Sequence, residues 1–316
     1  MSIERKKRRF TSGSDECVAW HYPGANGACV IMAGAIAVTK EPGTDRFAER
    51  FHQAGFTVLA FDYRHLGESG GMPRQLVRIR EQLDDWRAAI EFASALPEVD
   101  PAKLALWGHS LSGGHVLNIA AHHPGVAAAI AQSPHADGPA ISRNASRHQK
   151  PLALLRFAGR ALLDIAAGLA GRPPLLIPLV GAPGTVAALT TPDAPDMPHA
   201  LDPHGKYPTW QQSVAARSAL RTALYRPGRH ASDIHCPLLV IACNQDQSAL
   251  AGPALRVAAQ APTSELVRVP GGHYATYLEA HEETVEAELS FLHRHLHTPR
   301  PTNDVTAGQP EAGTRP

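Results

Sequence analysis

The segment Leu104-Ala105-Leu106-Trp107-Gly108-His109-Ser110-Leu111-Ser112-Gly113-Gly114 joins an apolar, strand-like run to a serine and then to a helix-like run. A nucleophilic serine needs this order. A tight strand-to-helix turn holds the hydroxyl clear of a sheet, and small residues on either side let the two backbones come together. Gly108 is the first small residue; at the second position the usual glycine is replaced by Ser112, followed at once by Gly113 and Gly114. A helix amino terminus beginning at Leu111 favours an oxyanion nearby. Gly67-Glu68-Ser69-Gly70-Gly71 satisfies G-x-S-x-G more literally. The strand before it ends near Asp62, however, which leaves Ser69 in a loop, and the context selects Ser110.

A serine hydroxyl is a weak nucleophile at neutral pH, so it needs a base and a group that fixes the base's tautomer. Among 18 histidines, His273 stands out because Gly271-Gly272-His273-Tyr274 forms a flexible loop just past the last predicted strand. There an imidazole can lean over the serine. His109 flanks the nucleophile and reads either as a residue shaping the turn or as a substrate contact. His293, His295 and His297 sit at the end of the closing helix, where positive charge is favourable without any metal. The acid is expected after the penultimate strand, where Asn244-Gln245-Asp246-Gln247 places Asp246; Asp137 is the substitute. Asp246 could instead serve only to cap the helix starting near Ser248. No H-E-x-x-H or comparable ligand spacing occurs, and neither a metal nor a cofactor is expected.

The elements around these residues follow from periodicity. Cys17 to Tyr22 alternates like an edge strand, while Ala28 to Met32 and Phe56 to Asp62 are continuous apolar runs typical of buried strands. Gln75 to Leu96 has helical spacing, with Leu76, Ile79, Leu83, Trp86 and Ile90 on one face. Lys103 to Trp107, Val126 to Gln132, Pro237 to Cys243 and Ser264 to Val269 complete the strands. Leu111 to His122 and Glu279 to Leu296 are helices. This alternation predicts a mostly parallel central sheet flanked by helices, an α/β fold. The first part of the core spans 1–133. Residues 134–235 break the pattern with many prolines and read as a mostly helical cap inserted before the penultimate strand, with helices near Leu152 to Leu169 and Trp210 to Tyr225. The core resumes over 236–297, and the Pro-rich, nearly apolar-free tail 298–316 reads as disordered.

Composition excludes several classes. Of 316 residues 44% are hydrophobic, and 30 Lys and Arg balance 29 acidic residues, so nothing draws the chain to nucleic acid. The basic cluster Arg5 to Arg9 reads as a solvated start to the first strand. The longest apolar stretches are broken by Arg156, Arg160, Asp164 and prolines, and no membrane span is expected. The basic start lacks the apolar run of a secretory signal, which points to the cytoplasm. Cys17, Cys29, Cys236 and Cys243 form no C-x-x-C pair and read as buried, reduced thiols.

Nearly the whole chain, from Arg9 to Leu296, resembles the α/β-hydrolase superfamily. The segments Phe61 to Gly71, Trp107 to Gly114 and Gly271-Gly272-His273 carry the likeness, and the order Ser110, Asp246, His273 is the superfamily's. More narrowly, the chain is similar to the Xaa-Pro-dipeptidyl-peptidase-like and dienelactone-hydrolase-like branch, which includes hydrolases and acyltransferases of polyketide pathways. One departure matters: relatives commonly carry His-Gly after the third strand, and here Met32-Ala33-Gly34-Ala35-Ile36 takes that place. The resemblance implies an oxyanion hole made by the backbone N–H groups of Ile36 and Leu111. Backbone donors survive side-chain replacement, whereas loss of one costs about 100- to 1000-fold in rate. The implied reaction is acyl transfer from an ester or thioester, small or carrier-bound, with a largely apolar acyl group. Hydrolysis leads; transfer to an alcohol or amine in a natural-product pathway comes second. A non-catalytic binding protein with a relict triad is the third reading, motivated by the missing His-Gly.

Overall fold

The computed structural model describes residues 5–296. The chain opens with β1 (Lys6–Ser12) and β2 (Asp15–Tyr22), an antiparallel hairpin turning at Gly13, whose φ of 59° is what a two-residue hairpin loop asks of its first residue. There follow β3 (Cys29–Ala33), α1 (Thr44–Gln53), β4 (Thr57–Phe61), α2 (Ile79–Ser94), β5 (Leu104–His109), α3 (Leu111–His122) and β6 (Ala128–Gln132). The 134–235 segment contributes α4 (Gly138–Arg147), α5 (Pro151–Leu169), β7 (Leu176–Pro178), α6 (Met197–Leu201), β8 (Ser213–Ala215) and α7 (Ala216–Leu224). The chain then returns through β9 (Leu238–Cys243), α8 (Ala251–Gln260), β10 (Ser264–Val269) and α9 (His281–Leu296).

Eight strands form one sheet in the order β1-β2-β4-β3-β5-β6-β9-β10. The pairs β1/β2 and β2/β4 are antiparallel and all others parallel. The apolar runs occupy the middle: every residue of β3, β4, β5, β6 and β9 is buried. Such strands are covered on both faces, as parallel sheets require. Helices α1 and α9 pack together on one face, and α2, α3 and α8 cover the other.

Three expectations change. Cys17 to Tyr22 is not the edge: the basic run belongs to its own strand, β1, in which Lys6 to Arg9 are exposed. Charged side chains at a sheet margin discourage pairing with another chain, and their lack of alternation hid the strand. Helix α2 begins only at Ile79, because Gln75 has a φ of 59° and its side chain donates to the carbonyls of Gln211 and Ser213 at 3.1 and 2.7 Å. Trp210 to Tyr225 splits into β8 and α7, with β8 antiparallel to β7.

The reason for that split is a buried carboxylate. Asp164, on α5, accepts the backbone N–H of Leu175 at 2.7 Å and of Arg217 at 2.8 Å, while the Arg217 guanidinium donates back to the Asp164 carbonyl at 3.1 Å. One side chain thus ties α5 to the chain before β7 and to the start of α7. All four cysteines are buried and none forms a disulfide. Among the described residues no helix is long and apolar enough to cross a membrane. The expected disordered tail and His297 lie outside the described residues.

Replacing Asp164 by Ala leaves two backbone N–H groups without their acceptor and takes the carboxylate, 3.6 Å away, from beside the largely buried Arg217 guanidinium. Breaking a buried pair from one side costs about 3–5 kcal/mol. Denaturant unfolding of the Asp164→Ala protein is expected to show a loss of that order.

Candidate active site

Strand β5 runs straight into Ser110, which caps α3 with φ 56° and ψ −118°. A non-glycine residue rarely holds such a conformation unless its surroundings impose it. Here they do. A Cβ on Gly108 would stand 2.5 Å from the Ser112 carbonyl, and one on Gly114 would stand 2.5 Å from the His135 carbonyl. The glycines let α3 press against the ends of β5 and β6, and Ser110 takes up the turn. Its own carbonyl accepts from the N–H groups of Gly114 at 3.0 Å and His135 at 2.8 Å.

Ser112, the departure from the usual glycine, is fully buried and bonded. Its hydroxyl donates to the Gly34 carbonyl and lies 2.5 Å from the Tyr63 hydroxyl, which in turn accepts from the Trp86 indole at 2.8 Å. One direction of donation satisfies the whole chain: Trp86 to Tyr63, Tyr63 to Ser112, Ser112 to Gly34. The serine therefore ties the turn at Ser110 to the loop after β3. In that loop the Val38 N–H donates to the Ala35 carbonyl at 3.1 Å, closing a turn with Ile36 and Ala37 at its centre. Lys40 anchors the loop's far end, buried with its ammonium 2.9 Å from Asp62 and 2.7 Å from Glu68.

Past β10, the loop carrying His273 is built on Gly271, with φ 97°. Its Cβ position would be 2.5 Å from Glu279 and 2.7 Å from Ala275, so no other residue fits without movement. His273 is buried, its Nε2 3.0 Å from Ser110 Oγ and its Nδ1 2.8 Å from Asp246 Oδ2. The other carboxylate oxygen of Asp246 accepts the N–H groups of Ala249 at 2.7 Å and Leu250 at 3.2 Å. Asp246 thus makes the local turn contacts and the imidazole contact together. Asp137 does not approach the histidine; it caps α4 through the Ala140 N–H at 3.2 Å.

Asp193 carried no signal in the sequence. It lies in a turn of the 134–235 segment and reaches across to both loops. One oxygen accepts the N–H groups of Gln247 at 2.8 Å, Ser248 at 3.2 Å and His273 at 3.1 Å, and the other accepts the Ser248 hydroxyl at 2.7 Å. Nothing in Thr191-Pro192-Asp193-Ala194 distinguishes it from an exposed turn carboxylate.

Electrostatics follow from this crowding. Burial alone would lower the His273 pKa, but the Asp246 charge and hydrogen bond and the Asp193 charge raise it above 6.5. Burial works against the Asp193 carboxylate, yet the His273 charge and the N–H donors hold its pKa below the ordinary value. His109 goes the other way: burial, then the His273 charge, pushes its pKa well below 6.5 and keeps it neutral. Its ring centroid is 4.7 Å from that of His273 and 4.9 Å from that of Tyr277. His109, expected as a substrate contact, is not among the described residues lining the cavity over Ser110. It sits at the buried end of β5, behind the imidazole.

That cavity, about 310 Å³, is bounded below by Ile36, Ser110, Leu111 and His273 and walled by residues such as Phe157 and Leu189. Among the described residues, no protein group takes up the N–H of Ile36 or of Leu111. Ser69, the literal match to the short motif, is consumed structurally: its hydroxyl donates to the Asp62 carbonyl at 2.6 Å and accepts the Val18 N–H at 2.8 Å. His295 contacts Glu265 at 3.0 Å, and no group of three or more His, Cys, Asp or Glu among the described residues could hold a metal ion.

A family model described as serine aminopeptidase, S33 matches residues 25–279, most of the chain. The chain belongs to this family. It is 38% identical over 291 residues to the quorum-quenching protein AidA of Acinetobacter baumannii, covering 90% of this chain and 93% of that one. To the thiohydrolase aneE of Aspergillus aculeatus it is 34% identical over 143 residues, 43% of this chain and 45% of the other. The crystal structure of the α/β hydrolase GrgF from Penicillium sp. sh18 superposes with a TM-score of 0.77 at 23% identity, covering 94% of this chain and 100% of that chain. At that identity the likeness is one of fold. The S33 assignment and the sheet order agree with the α/β-hydrolase fold expected from the sequence, and the chain is an enzyme of that type.

The groups about His273 are Asp246, Asp193, the Ser110 hydroxyl, the neutral His109, the Tyr274 ring and, further off, His135. Replacing Asp193 by Asn keeps its size and removes its charge, so the imidazolium loses one of its stabilising partners. Proton NMR of the imidazole, assigned by difference from His273→Gln, is expected to show a midpoint above 6.5 in the wild type. In Asp193→Asn the midpoint moves down.

Proposed function

We propose that this S33-family enzyme hydrolyses esters or thioesters of an apolar acyl group through a covalent intermediate on Ser110. His273 takes the serine proton as Oγ attacks the carbonyl carbon. The carbonyl oxygen, now negative, is received by the N–H groups of Leu111 and Ile36. The intermediate collapses, the leaving alcohol or thiol departs with the proton from His273, and an ester joins the acyl group to Ser110. Water then attacks that ester with His273 again as base, the bond from the acyl carbon to Ser110 Oγ breaks as His273 returns the proton to that oxygen, and the acid leaves. Asp246 holds the imidazole with its Nδ1 proton inward and stabilises the transient imidazolium. The 134–235 segment serves as the cap whose inner wall receives the acyl group.

The observation that carries this reading is the line Asp246, His273, Ser110, with contacts of 2.8 and 3.0 Å, opening into a largely apolar cavity. The family description names an aminopeptidase, but an aminopeptidase must hold its substrate's ammonium group. No carboxylate is among the described residues that line this cavity. The thiohydrolase named among the relatives supports thioester cleavage, and the wall of Leu, Phe and Ala side chains supports an acyl rather than a peptidyl group.

A fluorophosphonate probe is expected to label the wild-type protein and not Ser110→Ala. Across p-nitrophenyl esters, acyl thioesters and lactones of increasing apolar length, kcat/KM is expected to rise with chain length, while aminoacyl anilides stay uncleaved. Wild-type protein that resists the probe would sink the proposal. Asp246→Asn is expected to label and turn over about 10²- to 10⁴-fold more slowly with its fold intact, the size of loss that follows when the base loses its tautomer.

A further inference from the structure

The cavity over Ser110 is largely apolar, and most of its polar lining is already spent within the chain. The Ser146 hydroxyl donates to the Arg143 carbonyl at 2.8 Å, and the Thr222 hydroxyl to the Ala219 carbonyl at 3.0 Å. Thr191 and Ser248 bond to each other at 2.7 Å, and Ser248 donates onward to Asp193. The Gln149 amide donates to the Thr185 carbonyl at 3.0 Å and accepts the Gly184 N–H. His135, which also lines the cavity, is different. Its Nε2 lies 3.1 Å from the Thr222 carbonyl. A carbonyl can only accept, so Nε2 carries the proton. Burial, the largest effect, pushes the His135 pKa down to about 4, although the Thr222 carbonyl and, more weakly, that of Tyr225 favour a second proton. The ring is therefore neutral with a single N–H, and Nδ1 keeps a lone pair. Among the described residues no protein group donates to that nitrogen, and it is not sealed in the interior as the partnerless Nε2 of His109 is.

We propose that Nδ1 of His135 accepts a hydrogen bond from a hydroxyl or amide N–H carried by the acyl group near its scissile carbonyl, so that the enzyme selects such acyl groups over plain ones. This deepens the reading given for Ser110 and rests on it. The residue is fixed beside the nucleophile. Its backbone N–H donates to the Ser110 carbonyl at 2.8 Å, the following carbonyl, of Ala136, accepts the Gly228 N–H at 3.0 Å, and the Tyr225 ring lies alongside the imidazole at an interplanar angle of 22°. An acceptor held in this way needs little further ordering when a donor meets it. The Ser142 and Thr190 hydroxyls, also in the cavity lining, can turn to donate or to accept and so suit either kind of substituent. The imidazole cannot. Nδ1 would meet a ketone or ether oxygen lone pair against lone pair, and a plain acyl chain would leave it without a partner. A site with a buried polar group discriminates most strongly against the substrate that leaves that group unpaired.

The test reads preference rather than rate. N-acetylcysteamine thioesters of 2-hydroxyhexanoate, 3-hydroxyhexanoate and N-butyrylglycine are compared with those of the 2-methoxy and 3-methoxy acids and N-butyrylsarcosine, which keep the oxygen or amide and lose the donor. Binding is measured by calorimetry on Ser110→Ala, where the thioesters stay intact, and kcat/KM on protein that keeps Ser110. At least one donor-bearing thioester is expected to bind about three- to tenfold more tightly than its donor-free counterpart, the worth of one hydrogen bond between neutral groups. The arm that responds tells a hydroxyl from an N–H. Adding His135→Phe keeps a ring in place and is expected to bring that ratio to one. Adding His135→Asn instead sets an amide oxygen where Nδ1 stood and is expected to keep most of the preference. Because each ratio is taken within one protein, a general loss of packing cancels. Equal or absent binding across all the pairs overturns the proposal, as does a preference that survives His135→Phe or one that His135→Asn loses as fully as His135→Phe. A preference in binding without turnover by the wild type would leave His135 its role and remove the chemistry at Ser110; turnover without preference would do the reverse.

Discussion

Everything at the candidate site depends on how closely α3 approaches the ends of β5 and β6. At Gly108 and Gly114 the added Cβ atoms would fall 2.5 Å from backbone carbonyl atoms, a distance no packing tolerates. Bare backbone at those two places allows the helix to begin immediately where the strand ends. Ser110 must then turn the chain by itself and takes a positive φ. Strain of this kind costs of order 1–3 kcal/mol and persists only where neighbours over-determine it. The Ser110 N–H and C=O are both bonded, to Gln132 on one side and to Gly114 and His135 on the other. The hydroxyl is left as the group that faces the cavity.

Around this turn, three loops from distant parts of the chain are fixed by buried polar groups with full sets of partners. The loop after β3 hangs on Ser112, Tyr63 and Trp86 at one end and on Lys40 with Asp62 at the other. The loops after β9 and β10 are bound to each other and to Asp193. Groups buried in low dielectric are costly when unpaired, so each of these contacts resists being opened alone. The consequence is a rigid floor beneath a wall from a different part of the chain. Asp193 matters most here because it belongs to the wall and grips the floor. Any displacement of its turn bears on the His273 backbone and on the charge that His273 feels.

His109 and His273 show how place decides protonation. Both rings are buried and in contact. One has two carboxylates beside it and is pushed toward its charged form; the other has an imidazole beside it and stays neutral. Two adjacent imidazolium rings would repel, and the neutral ring behind His273 avoids that cost. An apolar cavity above and a neutral ring behind leave the Asp246 and Asp193 carboxylates as the main charges acting on His273.

Sequence by itself determined the sheet interior, the α/β class, and the positions of Ser110, Asp246 and His273 on their strand ends. These are legible because they rest on local rules: continuous apolar runs for buried strands, small residues around a tight turn, glycines before a loop histidine. The choice of Ser110 over the better string match at Ser69 also came from local context, a strand leading directly to a helix. Tertiary structure alone decided the rest. Lys6 to Arg9 forms a strand because a margin of the sheet was free to receive it, Trp210 to Tyr225 divides because Asp164 captures its backbone, and His109 turns to the core because β5 is buried to its last residue. Asp193 belongs to the site through contacts with residues more than 50 positions away, and no pattern along a chain encodes a carboxylate's distant partners.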